Sequence, residues 1–76
     1  LQGPVDSGSI VGTTSFKVLN VIIDTASLPD TAFHGEDDVQ IGRAAFFALL
    51  GSGRVVKAKG TFAGGTITAT EVEIDD

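Results

Sequence analysis

Apolar and polar residues alternate along the last third of the chain in the pattern of a β-hairpin. Gly64-Gly65 is a two-residue turn signal, and the flanking segments are rich in the β-branched residues that favour strands. Pairing the strands outward from this turn places Ala63 opposite Thr66 and Phe62 opposite Ile67. The apolar members of these pairs predict that Phe62 and Ile67 face the interior.

The apolar alternation slips by one residue further along, which predicts a β-bulge near Thr70-Glu71. Ile67 and Ala69 stand at odd positions, whereas Val72 and Ile74 stand at even ones. With one extra residue, the predicted cross-strand pairs are Gly60–Ala69, Ala58–Val72, Val56–Ile74, Lys59–Glu71 and Lys57–Glu73. Because opposite charges across a ladder contribute about 0.2–1 kcal/mol per pair, the charged and apolar patterns favour the same register.

The first half of the chain contains three shorter segments with strand character. Leu1–Val5 is predicted as an edge strand, because Pro4 has no amide hydrogen to give to a central ladder. Residues 14–19 and 21–25 are predicted as an antiparallel pair. They turn at Asn20, a residue type that tolerates the left-handed backbone of a tight hairpin.

A loop and one short helix separate these strands from the C-terminal hairpin. Ser27–Glu36 is predicted as a loop with Phe33 as its buried anchor, and Gly42–Gly51 as a helix rich in alanine and leucine. Gly51 stands where a left-handed residue would end this helix. The predicted apolar stripe of the helix consists of Phe46, Leu49 and Leu50.

This order of elements predicts a mainly β fold in one domain covering residues 1–76. Five short strands with a helix between the third and the fourth are the order of a small OB-like β-barrel. A chain of 76 residues is too short for a second domain.

Cysteine and methionine are absent from the sequence, and His34 is its only histidine. We therefore expect stability to come from apolar packing, strand pairing or neighbours in an assembly, rather than from disulfides or a structural zinc site. Because Leu1 is not methionine, the chain is interpreted as a processed product or a piece of a longer one. It shows no signal peptide and no apolar run long enough to insert into a membrane.

Ten acidic residues against five basic ones give a net charge of −5. Nucleic-acid affinity depends on neutralising phosphates with positive side chains, and single-strand binding also uses exposed aromatic rings. An acidic chain without tyrosine or tryptophan is therefore not expected to bind nucleic acid or anionic membranes.

No catalytic constellation is visible in the sequence. His34 lies in a polar loop, and none of the serines stands in a nucleophile-elbow context, so we interpret His34 as a solvated loop residue and expect no enzyme. The acidic run Glu36, Asp37 and Asp38 is a candidate calcium site. Further oxygen ligands would come from Asp24, Asp30, Asp75 and Asp76. A solvated acidic turn that complements the dipole of the following helix is the alternative.

Three apolar residues fall out of phase with the predicted core faces: Leu19, Ile22 and Val55. They either form an exposed patch for contact with another protein, or are covered by the helix and loops. Leu1–Val5 and Glu71–Ile74 are predicted as edge strands, which can pair with another chain.

The chain also resembles a known family along most of its length from Phe16 onward. The residues that carry the resemblance are 16–25 (FKVLNVIIDT), 45–50 (AFFALL), 56–62 (VKAKGTF) and 64–74 (GGTITATEVEI). They resemble the bacterial secreted domain-of-unknown-function family numbered 5666, whose members look like small OB-like barrels that often occur in tandem. The resemblance implies export, to the cell envelope or beyond, and a non-enzymatic role.

We therefore expect a non-catalytic structural or assembly module of an exported bacterial protein, of a kind that could repeat as a unit of a larger extracellular assembly. Its expected partners are copies of itself or neighbouring domains of the same parent protein. The alternative is an OB-like module that binds a glycan or an oligonucleotide on the face of its second and third strands.

Overall fold

The two longest strands of the protein are those that the C-terminal alternation predicts. The computed structural model describes residues 1–75. Its strands are β1 (Gln2–Pro4), β2 (Ser15–Val18), β3 (Val21–Asp24), β4 (Phe33–His34), β5 (Val55–Ala63) and β6 (Thr66–Ile74). One helix, α1 (Gly42–Leu49), and two 3-10 turns, Asp30–Ala32 and Glu36–Asp38, complete the fold.

The predicted register of the C-terminal hairpin is confirmed at every pair. Lys59 lies opposite Glu71 and Gly60 lies opposite Ala69, so Thr70 is the extra residue of a bulge. The Lys59 ammonium lies 3.2 Å from Oε1 of Glu71. Turn chemistry, apolar phase and charge pairing were therefore sufficient to predict this ribbon.

The six strands form one sheet in the order β1-β5-β6-β3-β2, and β4 pairs with the far half of β6. Both β3 and β4 run parallel to β6. The ends of the path meet at an isolated bridge between Val5 and Val18, next to an Asp6 amide that donates to the Lys17 carbonyl at 2.8 Å. The sheet is open, so the predicted mainly β fold is confirmed, while the predicted small five-stranded barrel is corrected to a six-stranded open sheet.

The strand that we did not predict is β4, which lies inside the segment predicted as a loop. Phe33 pairs with Val72 and His34 with Glu73 on β6. A two-residue strand is too short to show any periodicity, which is why the sequence did not reveal it. Phe33 itself is fully buried, as predicted.

The predicted hairpin between β2 and β3 is confirmed, and both of its turn residues adopt left-handed backbone angles. Leu19 has φ = 52° and Asn20 has φ = 66°, between the paired residues Val18 and Val21. Two positive φ angles define the type I′ turn, whose twist matches the flanking strands. Leucine pays a steric cost in this conformation because its Cβ approaches the following carbonyl oxygen.

Replacing this leucine with asparagine is expected to stabilise the domain. Leu19→Asn should raise the free energy of unfolding by about 0.5–1 kcal/mol, because asparagine adopts the left-handed region more readily. Urea unfolding followed by circular dichroism measures the change. Leu19→Ala is the matched control, since it removes the same side-chain contacts and keeps the strain. Equal stability of the two variants would contradict the strain argument.

Four of the five phenylalanines form the centre of the core. Phe16 and Phe33 each lie against both Phe46 and Phe47, which also contact each other; these five pairs have ring centroids 5.3–6.2 Å apart in tilted and edge-to-face arrangements. Such aromatic pairs contribute about 0.5–1.5 kcal/mol beyond the area they bury. The fifth, Phe62, lies outside this cluster and is 63% exposed, so its predicted inward orientation is wrong.

Helix α1 begins at the predicted residue but ends earlier and buries a different face. The buried side chains are Phe46, Phe47 and Leu50, whereas Leu49 is 48% exposed. Leu50 is extended and ends the helix, and Gly51 does not adopt the predicted left-handed conformation. Among the described residues, no helix has the length and apolar character needed to cross a membrane.

An arginine occupies the first position of the buried helix face, which explains the difference. Arg43 precedes Phe46, Phe47 and Leu50 at the spacing i, i+3, i+4, i+7. Its guanidinium carbon lies 4.7 Å from the Phe33 ring centroid. It donates hydrogen bonds to the backbone carbonyls of Thr13 (2.6 Å), Thr25 (2.7 Å) and Leu28 (2.8 Å). Arg43 thus fastens two loops to the helix.

Candidate functional site

The main candidate for a contact surface is the half of β5 that follows its pairing with β1. The three residues of β1 pair with residues 55–57, and the Leu1 backbone makes two further hydrogen bonds with Ala58. Within the described part of the chain, Lys59–Ala63 pairs with β6 alone. We call Lys59–Ala63 the β5 edge; all five of its residues are exposed.

Phe62 is the large apolar residue of the β5 edge. It pairs with Ile67, yet Ile67 is 7% exposed and Phe62 63%. The difference arises because β3 lies beside Ile67, where Ile23 is its neighbour, while no described strand lies on the outer side of Phe62. The unequal lengths of the Leu1–Val5 and C-terminal strand segments were the sequence signal that could have revealed this overhang.

The predicted contact residues lie at three different places. Leu19 is 58% exposed in the β2–β3 turn, Ile22 is 38% exposed on β3, and Val55 is half-buried at the start of β5. A contact through these residues stays a prediction. Leu1–Val5 lies at one end of the strand order, but Glu71–Ile74 lies between β5 and β4, so its predicted edge position is wrong.

The predicted acidic calcium ligands diverge in the structure. Glu36 forms an ion pair with Arg54 at 2.9 Å, whereas Asp37 and Asp38 adopt left-handed angles of φ = 61° and 60°. At the start of α1, Asp30 accepts a hydrogen bond from the Arg43 amide at 3.1 Å. The helix is therefore capped by Asp30 and not by the run Glu36–Asp38.

The other predicted calcium ligands hold hydrogen bonds of their own. Asp24 accepts one from the Ala26 amide at 3.0 Å, and Asp75 accepts one from the Gln2 side chain. Asp76 lies outside the described residues. Calcium binding at Glu36–Asp38 stays a prediction. It is not favoured by the structure, because Glu36, Asp24, Asp30 and Asp75 each have a partner of their own.

A histidine and two carboxylates from separate segments meet on the outer face of the sheet. Nδ1 of His34 lies 3.3 Å from Oε2 of Glu71. One ligand atom from each of His34, Asp38 and Glu71 lies within 4.8 Å of the other two. Among the described side chains, these three form the cluster of metal-ligating groups, and only Asp38 belonged to a predicted site. The interpretation of His34 as a solvated loop residue is wrong, because it lies in β4 with its side chain 15% exposed.

Comparison with known proteins identifies the family but no annotated relative. No curated protein and no solved structure matches the chain. The family described as "Domain of unknown function (DUF5666)" matches residues 2–73, which is nearly the whole chain. The resemblance seen in the sequence is thereby confirmed, and the protein belongs to the DUF5666 family.

Proposed function

We propose that this domain is a non-catalytic assembly module of an exported bacterial protein, and that it binds a second copy of itself through the β5 edge. The observation that carries the proposal is the position of Phe62. This ring is 63% exposed on a strand segment that, among the described residues, has a hydrogen-bonding partner on one side only. An exposed edge of this kind can add a strand from another chain.

Pairing of two β5 edges is geometrically self-consistent. Two identical antiparallel strands centred on Thr61 would place Gly60 opposite Phe62 and Lys59 opposite Ala63, in both directions. Phe62 of one copy and Gly60 of the other would be direct cross-strand neighbours in this register. Each Phe62 ring would then cover the other copy's glycine, an arrangement that stabilises glycine in strands.

Charge does not oppose this register at short range, but the net charge opposes association at long range. Lys59 faces alanine across the interface, and its ammonium is already 3.2 Å from Oε1 of Glu71 in its own chain. The net charge of −5 repels two copies, and salt screens that repulsion. Self-association should therefore strengthen as ionic strength rises. Five residues per copy make a small interface, which corresponds to weak, concentration-dependent association.

We also propose that the open sheet is an OB-like arrangement. An OB-fold is a five-stranded, partly open barrel. The proposal is supported by the parallel pairing of β3 with β6, the position of α1 before β5, and the Val5–Val18 bridge between the two ends of the strand path. The export assignment is supported by the resemblance described above.

Replacing Phe62 with threonine is expected to abolish self-association and leave the fold intact. Threonine keeps a high strand propensity but cannot cover Gly60 of another copy. Sedimentation equilibrium at submillimolar protein concentration, at low and moderate salt, measures the change. The unaltered chain should show a dimer fraction that grows with concentration and salt, and Phe62→Thr should remain monomeric.

Val11→Thr is the matched control for this experiment. Val11 is 61% exposed, close to the exposure of Phe62, but it lies in the β1–β2 loop. The Val11→Thr protein should associate as strongly as the unaltered chain. A strictly monomeric unaltered chain, or equal loss of association in both variants, would refute the proposal.

A further inference from the structure

We propose that His34, Asp38 and Glu71 bind one divalent transition-metal ion, and that Zn²⁺ fits the site best. The three residues come from the end of β4, the turn that follows it, and the middle of β6. None of the three ligands belongs to the β5 edge, although Lys59 of that edge contacts Glu71. Phe62→Thr and Asp38→Asn therefore test the two proposals separately.

The spacing of the ligand atoms matches zinc coordination. Zn–N and Zn–O bonds of about 2.0–2.2 Å at tetrahedral angles place neighbouring ligand atoms about 3.3–3.6 Å apart. Nδ1 of His34 and Oε2 of Glu71 are 3.3 Å apart. An Asp38 carboxylate oxygen lies within 4.8 Å of a ligand atom of His34 and of one of Glu71, and the Asp38 side chain is exposed. A modest movement of one exposed side chain therefore completes three ligands.

The state of Nδ1 in His34 itself points to a ligand. This nitrogen is buried and has no hydrogen-bond partner, although the Glu71 carboxylate is nearby. Buried polar atoms in folded proteins are nearly always hydrogen-bonded, because an unsatisfied one costs about 1–3 kcal/mol. A metal ion bound to the Nδ1 lone pair would satisfy this atom.

The backbone holds Asp38 beside His34. The chain reverses between them, with a bridge between His34 and Gln40 and a 2.7 Å hydrogen bond from the Gly35 amide to the Val39 carbonyl. The left-handed angle of Asp38 lies inside this closed turn. The two ligands from this segment are therefore fixed by local structure, and β4–β6 pairing supplies the third.

A neighbouring lysine orients the third ligand. The Lys59 ammonium lies 3.2 Å from Oε1 of Glu71, which leaves Oε2 on the side of His34. Hydrogen-bonded outer groups of this kind fix the direction of ligating carboxylates. With Lys59 counted, two carboxylates leave the cluster one negative charge, which favours a divalent cation.

The ligand set selects against calcium. Ca²⁺ takes six to eight oxygen ligands, whereas this cluster offers one imidazole nitrogen and two carboxylates. Imidazole and carboxylate together suit zinc, and three protein ligands leave a fourth position for water.

Titration of the metal-free chain with Zn²⁺ tests the proposal, with two adjacent aspartates as a matched pair. Asp38→Asn removes a ligand, while Asp37→Asn changes an exposed carboxylate with nearly the same φ outside the cluster. Calorimetry should show one Zn²⁺ per chain. Asp38→Asn should weaken binding at least about tenfold, and Asp37→Asn should bind like the unaltered chain.

Two further readouts separate this site from loose binding. Zn²⁺ at a hundredfold excess over its dissociation constant should raise Tm by at least about 5 °C, while Ca²⁺ should leave Tm unchanged. The imidazole ¹⁵N resonances, which belong to His34 alone because the sequence has one histidine, should shift at Nδ1. Absence of Zn²⁺ binding, equal binding by the two variants, or an equal effect of Ca²⁺ would overturn the proposal.

Discussion

Phe46→Ala is expected to lower the free energy of unfolding by about 3–5 kcal/mol, the largest loss we expect from any single truncation in the core. The Phe46 ring is fully buried, and its centroid lies 5.3 Å from that of Phe33, 5.5 Å from Phe47 and 6.1 Å from Phe16. Truncating a buried phenylalanine costs about 3–5 kcal/mol, because it loses transfer free energy and leaves a cavity. A domain of this length has about 4–11 kcal/mol in total, so the change removes much of its stability.

Phe62→Ala is the matched control, since it makes the same chemical change at an exposed ring. Phe62 is 63% exposed, so its loss should change the free energy of unfolding by less than about 1 kcal/mol. Urea unfolding of dilute protein, followed by far-UV circular dichroism, compares the two variants below the concentrations at which copies associate. Equal destabilisation would show that the aromatic cluster is not the centre of the core.

Gly60→Ala is expected to destabilise the protein by about 3 kcal/mol or more. A Cβ atom at this position would lie 2.2 Å from the Thr68 carbonyl oxygen and 2.8 Å from Cα of Ala69. Both are backbone atoms of the paired strand, so no side-chain rotation can relieve the overlap. The two strands must separate at the bulge next to Thr70, which breaks ladder hydrogen bonds.

Gly51→Ala is the control for this substitution. A Cβ at Gly51 would meet no atom within 4 Å, and Gly51 does not adopt a left-handed backbone conformation. Alanine there should leave stability unchanged or raise it by up to about 1 kcal/mol, because it restricts the unfolded chain. Thermal unfolding of both variants tests the pair. A Gly60→Ala protein as stable as Gly51→Ala would show that the strands are not this closely packed.

The C-terminal hairpin shows how much of this fold can be predicted from sequence. Gly64-Gly65 marked the turn, and the slip in apolar phase at Thr70 marked the bulge, so every cross-strand pair followed. The turn at Asn20 was found in the same way. In each case the signal lies in the turn and its flanking residues, within one supersecondary unit.

The predictions that failed concern contacts between units. Phe62 was placed inside because its partner Ile67 is apolar, but β3 covers only Ile67. Leu49 was placed on the buried stripe, although Arg43 shifts the buried face toward Phe47. The sequence does not show that loop carbonyls will accept hydrogen bonds from a charged residue on an apolar stripe, as they do from Arg43.

The cluster of His34, Asp38 and Glu71 could not be predicted from the sequence either. Asp38 was grouped with its acidic neighbours, yet the structure groups it with His34 and with Glu71 of β6. The sequence argued against zinc because cysteine is absent and a single histidine with carboxylates alone was judged insufficient for a zinc site. It carries no information on which carboxylates approach His34.

The sequence by itself determined the two hairpins, the register and bulge of the C-terminal one, and the starting residue of the helix. These features depend on backbone preferences and on pairing between neighbouring segments, both of which are encoded locally. Only the tertiary structure decided that the sheet stays open, that the β5 edge carries an exposed phenylalanine, and that His34 meets two carboxylates. Burial and clustering depend on what lies against each face, and this is set by segments far apart in the chain.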